Sequence, residues 1–371
     1  MSDATRRFSA VRKALGKLFP NAKGRQSKHL DVLAALVSGI VGGRSSQLPA
    51  IANQFPSDAK KESRVKRFSR WIQNENIEIE SYFLPFAEVL IAALSHLPLV
   101  LVIDGSTVGR GCMALVIGLV YKKRALPLAW IVVKAKKGHL PENLHIELIE
   151  QLYPLIPKDA EVIFLGDGEF DGIGLQAVLD GWDWKYVCRT AKSIKLYWKG
   201  EAFCYEDMLE CMEPGQDFEA PGVFFTEKQY GPVLAAGWWR KGEKKPLFLV
   251  SNMDSCEEAC RWYAKRFIIE TFFSDQKSRG FYLHKSHIRD PQRLRRLMIA
   301  ACIAYYWIVY LGELALDQGW NKVFHRKHRC DLSLFRLGLE LLDHFLLQGM
   351  PIIVGFGEQL SRFEIVYDEA A

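Results

Sequence analysis

Apolar positions in the first hundred residues recur at intervals of three and four, the period of a helix packed on one side. Leu30, Val32, Leu33, Leu36, Val37 and Ile40 form one such run, and Leu48, Ile51, Ala52 and Phe55 continue it, so residues 5–95 read as helical. Near Leu97 the period changes. Residues 99–103 (LVLVI) are a short apolar run closed by Asp104, Gly105 and Ser106; residues 113–121 and 126–133 are two more, with Gly109, Gly111 and the cluster Lys122, Lys123, Arg124 between them. Three such runs in succession predict an antiparallel meander. Residues 141–155 read as a helix, 161–165 as a buried strand ending in Gly166-Asp167-Gly168, 172–179 as a helix and 184–189 as a fifth strand. The predicted class is α/β, one mixed sheet flanked by helices.

Residues 190–245 hold no helical period. They are rich in glycine and aromatics, among them Tyr197, Trp198, Tyr205, Phe218, Phe224, Phe225, Tyr230, Trp238 and Trp239, and read as a β-rich insertion. Residues 247–250 return as a strand and 255–279 as helix. A long apolar helix follows over 294–316; its uncharged run, 297–312, is shorter than the ~20 residues a membrane crossing requires, so it reads as a buried core helix. The expected division is a helical N-terminal domain (1–96), an α/β domain with its insertion (97–345) and a C-terminal tail (346–371).

Composition excludes global disorder: 49% of the 371 residues are hydrophobic and 25% charged. Charge is uneven. The whole chain carries +6, whereas residues 1–72 alone hold 15 Lys/Arg against 4 Asp/Glu, a net of +11 that leaves −5 on the rest. A basic module on a slightly acidic body points to a polyanion, most simply nucleic acid. Its densest part is the helix around Arg64, Lys66, Arg67 and Arg70. There Arg64, Phe68 and Trp71 share one face and Lys66 and Arg70 another, as on a helix presented to a phosphate backbone; a solvated charged face is the alternative. Further basic clusters lie at 136–139, 284–289 and 322–329. The eight cysteines form no CxxC pair, and the N-terminal segment lacks the apolar core of a signal peptide, so the expectation is a reducing cytoplasm with no membrane partner.

The candidate chemistry rests on three acids. Asp104 and Asp167 close apolar strands, where open α/β sheets bind their ligands. Glu270 lies in the helical segment CRWYAKRFIIETFFSDQK. Three carboxylates brought together repel unless a divalent cation sits among them, and an all-oxygen ligand set favours Mg²⁺ or Mn²⁺. Around Glu270 the spacing is Tyr263-x2-Arg266-x3-Glu270-x6-Lys277. Helical geometry puts these on one face, able to hold a metal and grip phosphates; an ordinary Arg–Glu helix pair is the plainer reading.

This Y-x2-R-x3-E-x6-K spacing, with VLVIDGSTV around Asp104 and VIFLGDGEFDG around Asp167, resembles the insertion-sequence-four family of bacterial DDE transposases over residues 25–345. The resemblance implies a ribonuclease-H-like catalytic domain interrupted by a β-rich insertion. It implies Asp104, Asp167 and Glu270 as catalytic metal ligands, and Tyr263, Arg266 and Lys277 as contacts to element-end DNA. It implies Mg²⁺ (or Mn²⁺), double-stranded DNA in the form of terminal inverted repeats and target, and a homodimer in the synaptic complex. The implied reaction is hydrolytic nicking followed by transfer of the 3′-OH. A nuclease without strand transfer and an inactive DNA-binding derivative are the alternatives. A tryptophan of the insertion is expected to stack on a flipped base, which makes Trp238, Trp239 and the adjoining Arg240 candidates; sheet packing is the competing role. One departure is plain: Asp167 is followed by Gly168 and Glu169 and not by a basic residue.

Overall fold

The computed structural model of the chain describes residues 1–135, 138–209, 212–326 and 330–363. Of the basic clusters, Lys136, Lys137 and residues 327–329 lie outside them, as does the end of the tail, 364–371.

Six helices come first: α1 (Asp3–Leu18), α2 (Gly24–Gly43), α3 (Leu48–Asn53), α4 (Lys61–Gln73), α5 (Ile79–Tyr82) and α6 (Leu84–Leu94). The meander follows as β1 (Leu99–Gly109), β2 (Cys112–Tyr121) and β3 (Arg124–Lys134). Then come α7 (Glu142–Glu150), β4 (Val162–Gly166), α8 (Ile173–Gly181) and β5 (Lys185–Thr190). The insertion supplies β6 (Lys195–Trp198), β7 (Glu201–Cys204), β8 (Asp217–Phe225) and β9 (Tyr230–Trp238), and β10 (Leu247–Ser251) returns. The rest is helical: α9 (Cys256–Tyr263), α10 (Ile269–Gln276), α11 (Pro291–Asp317), α12 (Asn321–Phe324), α13 (Leu334–Leu347) and α14 (Gly357–Leu360).

β1 pairs with β2 antiparallel and β2 with β3, while β4 lies parallel to β1 and β5 parallel to β4. Every residue of β2 is buried, as a central strand covered on both faces demands. Helices α6, α7, α10 and α11 cover β3, and α8 and α9 cover β5. This is the mixed α/β sheet flanked by helices that the apolar runs predict. The insertion is not a separate layer. β10 pairs antiparallel with β5, and the insertion strands continue from it into one ten-stranded sheet of order β3-β2-β1-β4-β5-β10-β9-β8-β6-β7.

The apolar helix is α11. It is long and apolar enough to cross a membrane, yet its apolar window is wholly buried within the fold. Asp290 caps its first turn by accepting from the Arg293 N–H at 2.8 Å. Two of its buried polar groups reach backbone partners across the core: Tyr306 Oη donates to the Pro127 carbonyl at 2.7 Å and Trp307 Nε1 to the Ile353 carbonyl at 2.9 Å. Helix α13 lies so close that a Cβ on Gly338 would meet the Ile308 carbonyl oxygen at 1.8 Å. The N-terminal helices share this core, for α2 and α4 pack on α11 and α6 on α14. Arg6 of α1 also caps α13, its guanidinium donating to the carbonyls of Phe345 (3.2 Å), Leu346 (3.1 Å) and Met350.

Candidate active site

The first acid sits differently from the sequence expectation. β1 does not end at Asp104 but runs to Gly109, with Asp104 opposite Val116 of β2. It is β4 that stops. The last β1–β4 pair is Val102 opposite Leu165. Two residues further along each strand stand Asp104 and Asp167, neighbours in register and, because side chains alternate, on one face. Asp167 is the first residue past β4, in a turn closed by the Phe170 N–H donating to its carbonyl at 3.0 Å. Gly166 allows that turn, since a Cβ there would lie 2.5 Å from the Cβ of Phe170. Phe170 is fully buried behind the acid.

Glu169, the second acid of this turn, points elsewhere. It accepts from the Leu140 N–H at 2.6 Å and lies 3.5 Å from His145 and 3.6 Å from His139. Burial opposes its ionisation, but His145, the Leu140 amide and the charge of both histidines outweigh that and hold its carboxyl below the usual range. It fastens the 139–145 segment.

The signature segment is not one helix. α9 ends at Tyr263, a 3₁₀ turn covers Arg266–Ile268, and α10 begins at Ile269. The break turns Tyr263 and Arg266 inward: they are 1% and 6% exposed. Arg266 lies 3.6 Å from Glu270, whose side chain is 62% exposed, and the Arg266 Nε has no hydrogen-bond partner among the described residues. Lys277 ends α10 and reaches β1, its Nζ donating to Ser106 Oγ. Burial lowers its pKa and the charge of Asp104 opposes that fall.

Two residues of the site escape the sequence reading. Arg189 lies on β5 one position beyond the Gly166–Cys188 pair, hence level with Asp167, and it is exposed. Its charge and that of Arg266 both act on the Tyr263 hydroxyl, which burial pushes up to about 12. It stands as the basic neighbour that Gly168 does not provide, and its only sequence signal is its place at the end of the fifth apolar run. Phe267, inside the signature itself, is 43% exposed with the Arg266 guanidinium 4.0 Å from its ring centre.

Burial and then the charge of Asp167 push the Asp104 carboxyl up to about 6, Glu270 adding to this against Gly105 and Arg266. The three acids thus share one field. Among the described residues, however, no three His, Cys, Asp or Glu side chains stand together as a metal-ligand set. Asp104 and Asp167 each stand two residues beyond the last β1–β4 pair, close enough for Asp167 to act on Asp104, and Glu270 is turned to Arg266. Oxygen donors that repel one another, beside an exposed third carboxylate, fit a hard divalent cation held between sheet and α10.

The remaining candidates lie on two other elements. Trp238 ends β9 opposite Leu247, and the register across β10, β5 and β4 carries it to the level of Glu169, three strands or ~14 Å from β4. The Arg240 guanidinium covers its ring at 4.4 Å. Trp239 lies past the strand, its Nε1 donating to the Glu243 carbonyl at 2.9 Å. On α4, Phe68 and Trp71 are buried, and Arg64 is turned to the Phe55 carbonyl at 2.9 Å, so the expected outward face of Arg64, Phe68 and Trp71 does not exist. The exposed stripe is Lys66, Arg67 and Arg70.

The sequence model of the family described as Transposase DDE domain matches residues 96–307. Among solved structures, the chain is similar to a piggyBac transposase in a synaptic complex with hairpin DNA, determined by cryo-EM, at 11% identity and a TM-score of 0.46, over 93% of this chain and 78% of that one. No curated protein matches the chain.

Proposed function

The chain belongs to the Transposase DDE domain family, and from that premise we propose that it is the transposase of a bacterial insertion sequence of the insertion-sequence-four type. The observation that carries this is the convergence of Asp104 and Asp167, two residues beyond the last β1–β4 pair, with Glu270 and Arg266 of the signature segment in one electrostatic field. In this reading the enzyme binds the element's terminal inverted repeats, nicks them by hydrolysis and joins the freed 3′-OH to target DNA. It works as a homodimer in the synaptic complex and in the cytoplasm.

Asp104, Asp167 and Glu270 would hold Mg²⁺ or Mn²⁺, which when bound supplies an activated nucleophile and neutralises charge at the scissile phosphate. Arg266, Lys277 and Arg189 grip the strand being cut and hold its phosphorus in line with the attacking oxygen. Attack by water breaks the P–O3′ bond and frees a 3′-OH; attack by that 3′-OH on a target phosphodiester forms a new P–O3′ bond and expels the target strand's own 3′-oxygen. Both are displacements at phosphorus, so one site serves both. Arg266 would gain a phosphate for its Nε, which has no partner among the described residues, and Glu270, released from Arg266, would be free to serve as the third oxygen donor. The ring of Trp238 or Trp239 offers a stacking surface for a base extruded from the end, with Arg240 at the adjoining backbone.

The test uses the full chain with duplexes copied from the DNA flanking its coding region, a supercoiled target plasmid and Mg²⁺. The expected products are nicked ends and ends joined to the plasmid, both lost in Asp104→Asn. Cleavage without joining would replace the proposal with a nuclease. Joining undiminished in Asp104→Asn, Asp167→Asn or Glu270→Gln would remove the assigned site.

A further inference from the structure

Between the start of α2, the end of α4 and α5 lies an open polar cavity of about 640 Å³, lined by Arg25, Gln26, His29, Asn74, Asn76 and Tyr82 among others. All of these carry hydrogen-bonding groups and none is acidic. Its interior is braced. His29 Nδ1 is 2.7 Å from Tyr82 Oη, His29 Nε2 is 3.3 Å from Asn74 Nδ2, and Trp71 Nε1 donates to the His29 carbonyl at 3.1 Å. Asn74 Oδ1 accepts from the Asn76 backbone and side-chain N–H groups at 3.1 and 3.0 Å. Arg25, Gln26 and Asn76, by contrast, stand exposed at the rim.

The cavity is also placed for a duplex. Lys66, Arg70 and Asn74 follow one another at i, i+4 and i+8, so the exposed basic stripe of α4 leads to its mouth. The nearby acids Glu75 and Glu78 line a separate hollow with Arg295 and Arg296. The α4 end is fixed to the catalytic domain: the Arg296 guanidinium donates to the carbonyls of Ile72 (3.4 Å) and Ile77 (3.1 Å), at the start of α11. That start abuts the β1–β2 turn, where the Arg110 N–H donates to the Ile288 carbonyl at 3.2 Å. The turn is five residues past Asp104, ~17 Å along the strand, and α4 packs on α11, whose start abuts that turn.

We propose that this cavity reads bases of the element end inside the cut, Gln26 and Asn76 contacting adenine and Arg25 contacting guanine in the major groove, while Lys66 and Arg70 hold the flanking phosphates. Carboxamides pair with the N6/N7 edge of adenine and guanidinium with the O6/N7 edge of guanine, and phosphate contacts fix the register without carrying sequence. The proposal rests on the DNA-end function above and assigns it a site.

The test is selection of the full chain on a randomised duplex pool at several salt concentrations. Wild-type protein should enrich a motif containing adenine. Gln26→Glu, an exposed first-turn change that suits a helix N-terminus and leaves the fold intact, should move one position from adenine to cytosine, since a carboxylate accepts from cytosine N4, with a change in preference of ~10-fold or more. Lys66→Ala with Arg70→Ala should weaken binding to all sequences alike and reduce the salt slope by about 2. If wild type enriches a motif that Gln26→Glu, Asn76→Ala and Arg25→Ala all keep, the cavity does not read bases, though the end-binding function stands. If wild type binds no DNA at any salt concentration, the function itself fails and the cavity assignment with it.

Discussion

Burial and the charge of Asp167 push the Asp104 carboxyl from its ordinary 3.8 up to about 6, so the fold disfavours the charged form. The sign follows. Below pH ~4 the group is protonated in both states; as pH rises to about 6 the unfolded chain ionises first, and the stability this residue confers is lost across that window. Asp104→Asn should therefore flatten the fall of melting temperature between pH 4 and 6 and raise it by ~2 °C at pH 7. It should also abolish the rise that Mg²⁺ gives the wild type, because an ion that binds only the folded state stabilises it. A lower melting temperature for Asp104→Asn at pH 7 would contradict the charge cluster. Arg189 gives a second test at this scale. Losing one preorganised donor to a reacting phosphate costs ~10²-fold in rate, so Arg189→Ala should cut that much more slowly with an unchanged melting temperature, and Arg189→Lys should recover part of the loss. Glu169→Ala should do the reverse: near wild-type cleavage but a lower melting temperature, since that carboxylate holds Leu140 and the two histidines.

Among the elements, β1 to β5 were readable because each is a β-branched apolar run between Gly, Asp and Lys, and their pairing in register follows from the meander and two parallel crossovers. Three features were not readable. GSTVG after Asp104 looks like a turn, yet β2 holds it in the ladder through Thr107 opposite Met113. The insertion strands carry no local sign that they continue the catalytic sheet, because their partners are distant in sequence. The break between α9 and α10 leaves the apolar period intact, with Ile269, Phe272 and Phe273 still buried, while it changes what Arg266 and Glu270 do. A continuous helix would make them an ordinary surface pair; the 3₁₀ turn makes one buried and the other exposed. Arg266→Ala should consequently lose cleavage while keeping the Mg²⁺-induced rise in melting temperature, because it grips DNA and leaves all three acids in place. Loss of that rise as well would mean that Arg266 organises the carboxylates themselves.

At the scale of the whole molecule, the basic N-terminal module is less free than its charge implies. Arg6 caps α13, Arg7 is buried against Gln54, Arg12 pairs with Asp31 at 2.5 Å, Arg44 pairs with Asp343, and Arg64 holds the Phe55 carbonyl. These cations build the molecule, and contact with DNA falls to the exposed remainder. Of these, Arg6 and Arg44 reach across to α13, and the packing of α2 and α4 on α11 and of α6 on α14 completes one core, so residues 1–96 alone would leave the buried faces of α2, α4 and α6 open to water. The full chain should then melt in a single cooperative transition, and the isolated 1–96 fragment should show none. Arg6→Ala removes the charged donor from the Met350 carbonyl and from those of Phe345 and Leu346, which keep their bonds from the Met350 and Gly349 N–H groups; losing hydrogen bonds to a charged group costs ~1.5–3 kcal/mol. It should lower the melting temperature of that one transition by several degrees, with α1–α6 and the sheet still unfolding together when followed by near-ultraviolet circular dichroism and by amide exchange. An early separate transition confined to residues 1–96 would show that the two parts stand alone, and that the rigid spacing between α4 and Asp104 is not built into the fold.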